Sequence, residues 1–438
     1  MKVNIITLGC SKNTVDSERI LTQLAASGIK AEYDSSANGF DAVLINTCGF
    51  IEEAKQESVE TILGWTRAKA EKKIGKVIVT GCLSERYRKD LINEIPEVDA
   101  YFGTHDLPDL LSYLGVKYRH DLPDERIIST PAHYAYLKIS EGCNRGCSFC
   151  AIPLMRGPMK SIPIDALVKE TKTLARKGTR ELILIAQDLS AYGTDIYGRQ
   201  KLSDLLLNLS GIEGIEWIRL HYAYPARFPL SALDVFYREP KLCRYLDMPL
   251  QHINDRLLSA MHRGINKKRT TELICRIREK VPGIYIRTSF MVGFPGETER
   301  EFEELLEFAE KMKFERMGVF TYSHEENTSA HSLPDDLSRE EKKKRADALS
   351  AVHCSHSGEI NRTMIGKSLR VLVDRKEGDF YSGRTQYDSP EVDNEVIVPA
   401  ERQYLRVGDF SDIVITSASD FELTGVMKEV IQKKQPLC

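Results

Sequence analysis

The chain has 438 residues, of which 42% are hydrophobic and 29% charged, and its formal net charge is −3. This length allows two or three domains, and this composition is typical of a water-soluble globular protein. A balance so close to neutrality excludes a whole-chain positive field that would attract nucleic acid or an anionic membrane. Because no apolar run reaches the ~18 residues that span a bilayer, and residues 1–13 turn polar too early for a signal peptide, we expect a cytosolic protein with no membrane partner.

Residues 1 to about 110 alternate short apolar strands with amphipathic helices. The strands are predicted at residues 3–8, 42–46 and 77–80, and the helices that follow them at 16–27, 52–71 and 84–95. This order predicts an open parallel sheet with helices on its faces. A polar segment with two prolines, residues 120–131, is interpreted as a linker, and residues 1–125 are assigned to an N-terminal domain.

The alternation resumes on a longer scale from residue 133 to about 335. Strands are predicted at residues 134–139, 181–186, 217–221, 245–249, 285–292 and 316–322. Helices are predicted between them, at residues 164–177, 202–210, 229–239, 255–262, 267–280 and 299–312. Six or more β/α units in about 200 residues predict a full or partial TIM-type (β/α) barrel, to which we assign residues 126–365.

The last part of the chain changes character. Residues 338–361 are dense in charge and predict a solvated connecting helix. Beyond them, short alternating segments separated by turn residues predict a small antiparallel β domain, residues 366–438, built as an open barrel resembling an OB-fold. Its strands are predicted at residues 369–373, 378–384, 395–398 and 410–417.

Three cysteines with spacings of four and three, here called the loop trio, follow the first predicted barrel strand: Cys143, Cys147 and Cys150. In such barrels the chemistry takes place at the carboxyl ends of the strands. Iron–sulfur clusters are held by thiolates on short loops of this kind. Zinc would require a fourth ligand, and no Cys or His follows within twenty residues. Zinc and, in the cytosol, a disulfide therefore remain the less favoured alternatives.

A second set of three, here called the strand-end trio, contains Cys10, Cys48 and Cys82, each just beyond a predicted parallel strand. The carboxyl ends of parallel strands share one crevice, where ligands bind. A single cysteine there would more often be a small buried hydrophobe, but three at equivalent positions favour a ligand set. The other four cysteines follow no such pattern and are interpreted as structural: Cys243, Cys275, Cys354 and Cys438.

The loop trio resembles the Cys-x3-Cys-x2-Cys motif of the radical S-adenosylmethionine (SAM) superfamily, with Phe149 before its third cysteine. The resemblance implies a [4Fe–4S] cluster whose open iron binds SAM and cleaves it reductively to a 5′-deoxyadenosyl radical. It places Phe149 against the adenine, and Gly293 and Gly296 along the adenosine, although residues 290–298 could equally be an ordinary strand–turn–helix. The superfamily's Gly-Gly-Glu segment is here Ala-Gln-Asp, so Gln187 and Asp188 are assigned to SAM binding, while the ligand of the SAM amino group stays open.

Two cysteine trios on two α/β domains, followed by a small β domain, resemble the methylthiotransferase family of radical SAM enzymes. The stretches that carry this resemblance span essentially the whole chain: residues 7–13, 46–51, 81–82, the loop trio and 380–385. It implies an auxiliary [4Fe–4S] cluster on the strand-end trio, with sulfide or polysulfide on its open iron. It also implies that SAM is both methyl donor and radical source, and that the terminal β domain is TRAM-like.

Within this family, residues 182–188, 318–326 and 387–393 resemble the branch that modifies an aspartate β-carbon in small-subunit ribosomal protein S12. The alternative branch forms 2-methylthioadenosine in tRNA. Residues 366–438 carry 10 Lys and Arg against 13 Asp and Glu, a net of −3, which favours a basic protein over tRNA. The expected partners are therefore S12, free or in the small subunit, and an electron donor such as flavodoxin or ferredoxin. A noncatalytic iron–sulfur carrier and a zinc-stabilised nucleic-acid-binding module are the rivals from other classes.

Four further polar residues stand at or near the ends of predicted barrel strands: His221, Asp247, Gln251 and His252. Their position predicts that they face the active end of the barrel. Each could contact substrate or be a hydrogen-bonded scaffold residue, and the pattern does not distinguish these roles.

Overall fold

The computed structural model describes residues 1–120, 122, 125–401 and 403–428, so Cys438 lies outside the described residues. Its N-terminal strands are β1 (Lys2–Thr7), β2 (Lys30–Tyr33), β3 (Ala42–Thr47), β4 (Lys76–Gly81) and β5 (Ala100–Tyr101). The helices of this part are α1 (Ser11–Ala26), α2 (Glu52–Ala70), α3 (Cys82–Glu94) and α4 (Leu107–Tyr113). All neighbouring strands pair in parallel, in the order β2-β1-β3-β4-β5.

This N-terminal sheet has an apolar core on each of its two faces. The strand β3 is buried along its whole length, and β4 is buried except at its first residue. The two cores lie on opposite faces, as expected for a parallel sheet covered on both sides by helices. The predicted open parallel sheet is confirmed, although β2, β5 and α4 were not predicted, because β2 is polar and β5 has only two residues.

The segment predicted as a linker is tied to both of its neighbours. Residues 121, 123 and 124 of it lie outside the described residues. Arg126, only 1% exposed, pairs with Glu18 on α1 at 2.6 Å and with Glu170 of the next domain at 3.0 Å. Because removing one partner of a buried ion pair is costly, this arginine fixes the N-terminal sheet against the central part of the chain. The segment therefore lies between the two domains, as predicted, and Arg126 fixes it to both of them.

The central part is a second parallel sheet with helices on one face. Its strands are β6 (Tyr134–Lys138), β9 (Glu181–Ile185), β10 (Trp217–Leu220), β11 (Leu242–Asp247), β12 (Tyr285–Val292) and β13 (Arg316–Thr321), and a two-stranded ribbon, β7 (Ser140–Glu141) and β8 (Lys160–Ser161), follows β6. The helices are α5 (Ile152–Arg156), α6 (Ile164–Arg176), α7 (Leu202–Ser210), α8 (Ser231–Arg238), α9 (Asp255–Ala260), α10 (Lys267–Lys280) and α11 (Glu299–Met312).

The six strands pair in the order β13-β12-β11-β10-β9-β6, all in parallel. A full TIM-type barrel has eight strands, and this sheet has six. Of the two forms that the sequence predicted, a full or a partial barrel, the partial barrel is therefore the correct one. Alternate strand residues pack against the surrounding helices in the largest apolar core. The opposite face of the strands carries charged and aromatic residues, among them Arg219, Tyr245 and Arg287.

The charge-dense segment forms α12 (Arg339–Arg362), which packs against β13 and α11 rather than standing in solvent. Lys342 and Arg345 are buried, and the Arg345 guanidinium pairs with Glu297 at 3.2 Å and with Glu341 at 3.1 Å. Its solvated character was therefore predicted wrongly. Buried charges persist here because each has a partner, which the charge pattern of a single helix does not reveal.

The terminal domain is a closed barrel rather than an open one. Its strands are β14 (Ser368–Glu377), β15 (Phe380–Thr385), β16 (Glu395–Pro399), β17 (Phe410–Ala418) and β18 (Glu422–Met427). The strand that was not predicted, β18, closes the barrel because it pairs in parallel with β16 and antiparallel with β17. The mixed α/β fold with a small terminal β-barrel is otherwise confirmed.

The terminal barrel docks on the charged face of the central sheet. The loop between β15 and β16 brings Asp388 to Arg316 of β13, and Asp393 to Arg287 at 3.3 Å and to the Tyr245 hydroxyl at 2.8 Å. All of these side chains are largely buried. Because buried charges that are paired and hydrogen-bonded resist separation, this interface fixes the relative position of the two domains.

We expect Asp374 of β14 to make this interface sensitive to acid. Burial alone would raise its pKa, but the Arg384 guanidinium and a hydrogen bond from His133 outweigh burial and lower the pKa from 3.8 to about 2. A carboxyl group whose pKa is lowered by folding stabilises the folded state above its unfolded pKa, and this contribution is lost as the pH falls through the folded pKa. Each pKa unit corresponds to about 1.4 kcal/mol, so about 2 kcal/mol should be lost between pH values of about 4 and 2.

The free energy of unfolding, measured against pH for the parent and for Asp374→Asn, tests this expectation. The difference between the two proteins should shrink over this range, because the variant has already lost the carboxylate. Asp379→Asn, at an exposed position of the same barrel, is the matched control and should follow the parent. A constant difference between parent and Asp374→Asn down to the lowest pH would contradict the assignment.

Candidate functional site

The loop trio lies where β6 and β7 end, at the carboxyl ends of the barrel strands. Cys143, Cys147 and Cys150 are all partly buried, and the three thiols interact electrostatically. Burial is the main cause that raises the pKa of Cys143 to about 11 and that of Cys150 to about 12. Thiols with such pKa values become thiolates when a cation replaces the proton, which is the property of a metal-ligand set.

The loop can take this path because residue 142 is a glycine. Gly142 has φ +72°, and a Cβ there would collide with the backbone of Gly157 and Pro158. The Cys143 amide donates to the Gly157 carbonyl at 3.1 Å, and the Arg145 amide lies 3.4 Å from the Cys143 sulfur. One backbone donor, the Arg145 amide, therefore faces the first sulfur of the trio, as expected where a negatively charged cluster is held.

Polar residues that were not predicted surround Cys147. Its sulfur lies 3.4 Å from the Tyr224 hydroxyl and accepts from an Arg263 guanidinium nitrogen at 3.3 Å. The guanidinium groups of Arg145 and Arg263 flank the Tyr224 ring at 4.2 and 4.3 Å from its centroid. Positive charge beside a sulfur stabilises the thiolate. Tyr224 could have been found from its place after β10, whereas nothing in the sequence pattern marks Arg263.

Gln187 and Asp188, the residues assigned to SAM binding after β9, lie beside this loop. Asp188 pairs with Arg145 at 2.7 Å and accepts from the Ser190 amide at 2.8 Å. Gln187 donates to Glu141 at 3.0 Å. Burial would raise the pKa of Glu141, but Lys138 and Arg156 outweigh it and hold that pKa well below its usual range. Glu141 therefore stays ionised and places a negative charge beside Gln187. The sequence analysis did not single out this residue.

Phe149 and the turn after β12 come together through aromatic packing. Phe149 packs on a buried cluster that includes Leu257 and Phe294. The turn is closed by Glu297, whose carboxylate accepts from the Gly293 amide and from the Phe294 amide at 3.1 Å. A Cβ at Gly293, where φ is +75°, would collide with the Lys342 side chain from α12. Close packing of α12 is thus one physical reason for glycine at this position.

Gly296 lies farther along the same turn. It has φ +73°, and its amide donates to Asp336 at 3.0 Å. The Arg256 guanidinium donates to its carbonyl at 2.6 Å. Both backbone groups of Gly296 therefore have protein partners, and its role along the adenosine stays a prediction.

The strand-end trio converges at the carboxyl edge of the N-terminal sheet. Cys10 precedes α1 and is exposed, Cys48 follows β3, and Cys82 begins α3, the last two being buried. Burial is the main cause that raises the pKa of Cys48 to about 11 and that of Cys82 to about 12, and the other thiols of the trio add to both effects. The three sulfurs are thus close enough to act on one another, as the strand order predicted.

Two glycines and one asparagine bring these strand ends together. A Cβ at Gly9 would lie 2.6 Å from the Cys48 Cβ, and one at Gly81 would lie 2.5 Å from the Thr47 carbonyl oxygen. Asn13 donates to the carbonyls of Leu8 at 2.7 Å and Thr47 at 3.1 Å. Its side-chain oxygen lies 3.8 Å from the Cys82 sulfur. The crevice therefore depends on close backbone approach, which side chains at the two glycines would prevent.

The strand-end trio contacts the segment that follows the loop trio across the domain boundary. Cys82 packs against Ala151, Ile152 and Met155, the segment that directly follows Cys150. The Thr104 hydroxyl, from the N-terminal part, donates to the Met155 carbonyl at 2.6 Å. The N-terminal crevice is thereby placed over the loop of the barrel.

A buried ion cluster holds the two domains in this position from the other side. Glu325, which follows β13, pairs with Arg86 of α3 at 2.5 Å and with Lys55 of α2 at 3.2 Å. The side chains of Arg86 and Glu325 are each 3% exposed. Glu325 belongs to residues 318–326, the stretch that resembles the protein-modifying branch of the family. Its ion pairs with Arg86 and Lys55, here called the clamp, hold two domains together.

The sequence left the role of His221, Asp247, Gln251 and His252 open between substrate contact and scaffold, and the structure shows a protein contact for each of them. His221 lies 2.8 Å from the Ser389 hydroxyl of the terminal domain, and Asp247 accepts from the Tyr222 amide at 3.1 Å. His252 accepts from the Asn254 amide at 3.0 Å, and burial lowers its pKa to about 4. The backbone of Gln251 bridges to Phe290. The side-chain contact of His221 favours the scaffold role. The buried Asp247 Oδ1 and His252 Nε2 atoms have no hydrogen-bond partner among the described residues, and the bridge of Gln251 involves only its backbone, so both roles stay open for these three.

The described residues contain neither a ready-made site for a single metal ion nor a membrane-spanning helix. Within residues 1–120, 122, 125–401 and 403–428, no three His, Cys, Asp or Glu side chains already converge as the ligands of a single metal ion. In the same part of the chain, no helix has both the length and the apolar character needed to span a membrane.

Comparison with family models divides the chain into three matches. Residues 2–103 match the uncharacterized protein family UPF0004, residues 137–309 the radical SAM superfamily, and residues 365–427 the TRAM domain. The loop trio lies in the second match and the strand-end trio in the first. Among solved structures, the radical SAM methyltransferase TsrM from Kitasatospora setae matches with a TM-score of 0.53 at 14% identity, covering 73% of this chain and 74% of that one. At this identity the likeness concerns the fold alone.

Curated relatives match over nearly the full length. The ribosomal protein uS12 methylthiotransferase RimO of Cytophaga hutchinsonii is 54% identical over 424 residues, which cover 97% of each chain. The protein of the same name from Christiangramia forsetii is 53% identical over 433 residues, covering 99% of this chain and 96% of that one. At such identity and coverage, this chain belongs to the radical SAM methylthiotransferase family, in the group whose curated members are named ribosomal protein uS12 methylthiotransferase RimO.

Proposed function

We propose that this enzyme attaches a methylthio group to the β-carbon of an aspartate in ribosomal protein S12. The observation that carries the proposal is that Cys82 of one trio packs, across the domain interface, on the segment that directly follows Cys150 of the other. An unactivated carbon has no acidic proton for a base to remove, so acid–base chemistry alone is inadequate. Two cysteine sets on domains that contact each other suit a reaction in which one set supplies a radical and the other supplies sulfur to the same carbon.

Each trio would hold one [4Fe–4S] cluster. Three thiolates are one fewer than the four ligands that such a cluster takes, so one iron of each cluster stays open. The open iron at the loop trio would bind SAM, and the open iron at the strand-end trio would bind sulfide or polysulfide. When bound, these groups supply hydrogen-atom abstraction, the methyl group and the sulfur. The donor sets fit, because each brings three cysteines together with an arginine nitrogen at one sulfur, Arg263 at Cys147 and Arg156 at Cys82.

The chain's own residues would hold and shield these groups. Arg263 and Tyr224 place a positive charge and a polar group beside the Cys147 sulfur, where they would face the negative charge of a bound cluster. Phe149 and its aromatic neighbours form an apolar wall that suits the adenine of SAM. The clamp of Glu325 with Arg86 and Lys55 holds the strand-end trio over the barrel, so that both reacting groups are oriented before reaction.

The choice of S12 rests on the relatives and not on the charge of the terminal domain. Asp374, Asp388 and Asp393 were counted in the domain's net charge of −3. All three are largely buried and pair with arginines at the barrel interface, so this net charge does not describe the exposed surface. The names of the curated relatives favour the ribosomal protein over the tRNA alternative.

Two further parts of the proposal concern domains and partners. We assign residues 1–125 to the domain of the auxiliary cluster, residues 126–365 to the radical SAM barrel and residues 366–438 to the TRAM domain. A one-electron donor such as flavodoxin or ferredoxin is needed, because reductive cleavage of SAM consumes an electron that none of the described side chains supplies.

The test uses the full chain, reconstituted anaerobically with iron and sulfide and supplied with SAM and a reductant. S12 and bulk tRNA are offered in separate reactions and analysed by mass spectrometry for one added methylthio group. Addition to an aspartate of S12 is expected, and Cys275→Ala, at an exposed cysteine outside both trios, should retain it. Addition only to adenosine of tRNA would support the methylthiolation reaction but contradict S12 as its substrate.

A further inference from the structure

A buried arginine joins the two cysteine trios. Arg156, at the end of α5 and 3% exposed, donates from Nε to the Cys82 sulfur at 3.3 Å. Its two terminal nitrogens bond Asp16 at 2.5 Å and the side-chain oxygen of Asn13. Each edge of the guanidinium therefore has a partner from the N-terminal domain, although Arg156 itself belongs to the segment that follows the loop trio.

The charges around Arg156 balance. Lys138 bonds Asp16 and, at 2.6 Å, Glu141, and Arg156 also lies 3.3 Å from Glu141. Two cations and two carboxylates thus form one cluster, in which both cations are nearly inaccessible to solvent. Because the charges already compensate one another, the Nε–H directed at Cys82 is not required for pairing and is available to the sulfur.

The same cluster reaches the residues assigned to SAM. Glu141 accepts from Gln187 at 3.0 Å, and Gln187 neighbours Asp188, which pairs with Arg145 in the loop of the trio. An unbroken chain of hydrogen bonds therefore runs from the Cys82 sulfur through Arg156 and Glu141 to Gln187. Within this network Arg156 donates to the Cys82 sulfur, which the Asn13 side-chain oxygen also approaches at 3.8 Å.

We propose that Arg156 is a positioning residue for the auxiliary cluster: its Nε–H orients the Cys82 thiolate toward the barrel and raises the reduction potential of the cluster. This inference rests on the auxiliary cluster of the proposed function. A hydrogen bond and a positive charge at a ligating sulfur stabilise the reduced, more negative cluster over the oxidised one. Loss of the Nε–H therefore moves the reduction potential to a more negative value.

The test isolates one cluster and measures its midpoint potential. In a parent protein with Cys143→Ala, Cys147→Ala and Cys150→Ala, only the auxiliary cluster can be loaded, and its midpoint is followed by EPR during a redox titration. Arg156→Lys keeps the charge but lacks the planar fork that serves Cys82, Asp16 and Asn13 together. We expect this variant to retain its iron and to show a more negative midpoint. Arg67→Lys, at an exposed arginine of α2, is the matched control and should keep the parental value.

A second variant covers the case in which Arg156→Lys does not fold. Arg156→Met combined with Asp16→Asn removes a cation and a carboxylate together, so the buried charge stays balanced while the donor to Cys82 is lost. It should also shift the midpoint to a more negative value. Variants that hold the cluster at the parental midpoint overturn the role of Arg156. A parent that loads no cluster overturns the auxiliary cluster itself, a result distinct from the first.

Discussion

Replacing Cys147 by alanine is expected to abolish reductive SAM cleavage. Cys147 supplies the middle thiolate of the loop trio, and its sulfur has both the Tyr224 hydroxyl and an Arg263 nitrogen within 3.4 Å. Two remaining thiolates do not retain a cluster that needs three protein ligands. The site would also keep the positive charge of Arg263 without the sulfur that it faces, which disfavours any substitute ligand arrangement.

The measurement is the amount of 5′-deoxyadenosine formed per chain with excess reductant, together with the iron content. In Cys147→Ala the product should fall to the rate seen without protein, and the iron content should fall to that of one cluster. Cys275→Ala, at an exposed cysteine of α10, should match the parent in both measurements. Parental SAM cleavage by Cys147→Ala would exclude the loop trio as the site of SAM chemistry.

Replacing Cys48 by alanine is expected to separate SAM cleavage from methylthio transfer. Cys48 belongs to the other domain and lies in the crevice formed by Gly9 and the ends of β1, β3 and β4. Its loss would remove a ligand of the proposed auxiliary cluster and leave the loop trio with all of its contacts. Alanine also occupies less volume than cysteine, so the substitution introduces no clash with Gly9.

Both products are measured in one reaction with S12. In Cys48→Ala, 5′-deoxyadenosine should form at close to the parental rate, because the substitution leaves the loop trio's own contacts in place. Methylthiolated S12 should be absent. Since Cys48 is buried, circular dichroism and the midpoint of thermal unfolding serve as controls for folding. Continued sulfur insertion by a folded Cys48→Ala protein would falsify the auxiliary-cluster role.

Much of the fold follows from local sequence patterns. The helices α7, α10 and α11 and the strand β12 have the bounds that were predicted, because each is a strongly patterned segment. The strand–helix alternation predicted two parallel sheets, and parallel order alone implied that Cys10, Cys48 and Cys82 would converge at one edge. The spacing of the loop trio needed no tertiary information, since its cysteines lie within eight residues of one another.

Tertiary structure decided how these parts meet. The contact of Arg156 with Cys82, the clamp at Glu325 and the docking of Asp388 on Arg316 join residues that are 72 to 270 positions apart. A charged residue in the sequence gives no sign that it will be buried, which is why α12 was interpreted as solvated and the terminal domain's charge was assigned to its surface. Hydrophobic period and cysteine spacing are properties of neighbouring residues and therefore predicted the secondary-structure elements and the candidate ligands. The pairing of buried charges depends on which surfaces come into contact, because a charge leaves water only where a partner compensates its lost hydration, and that is decided by the folded chain.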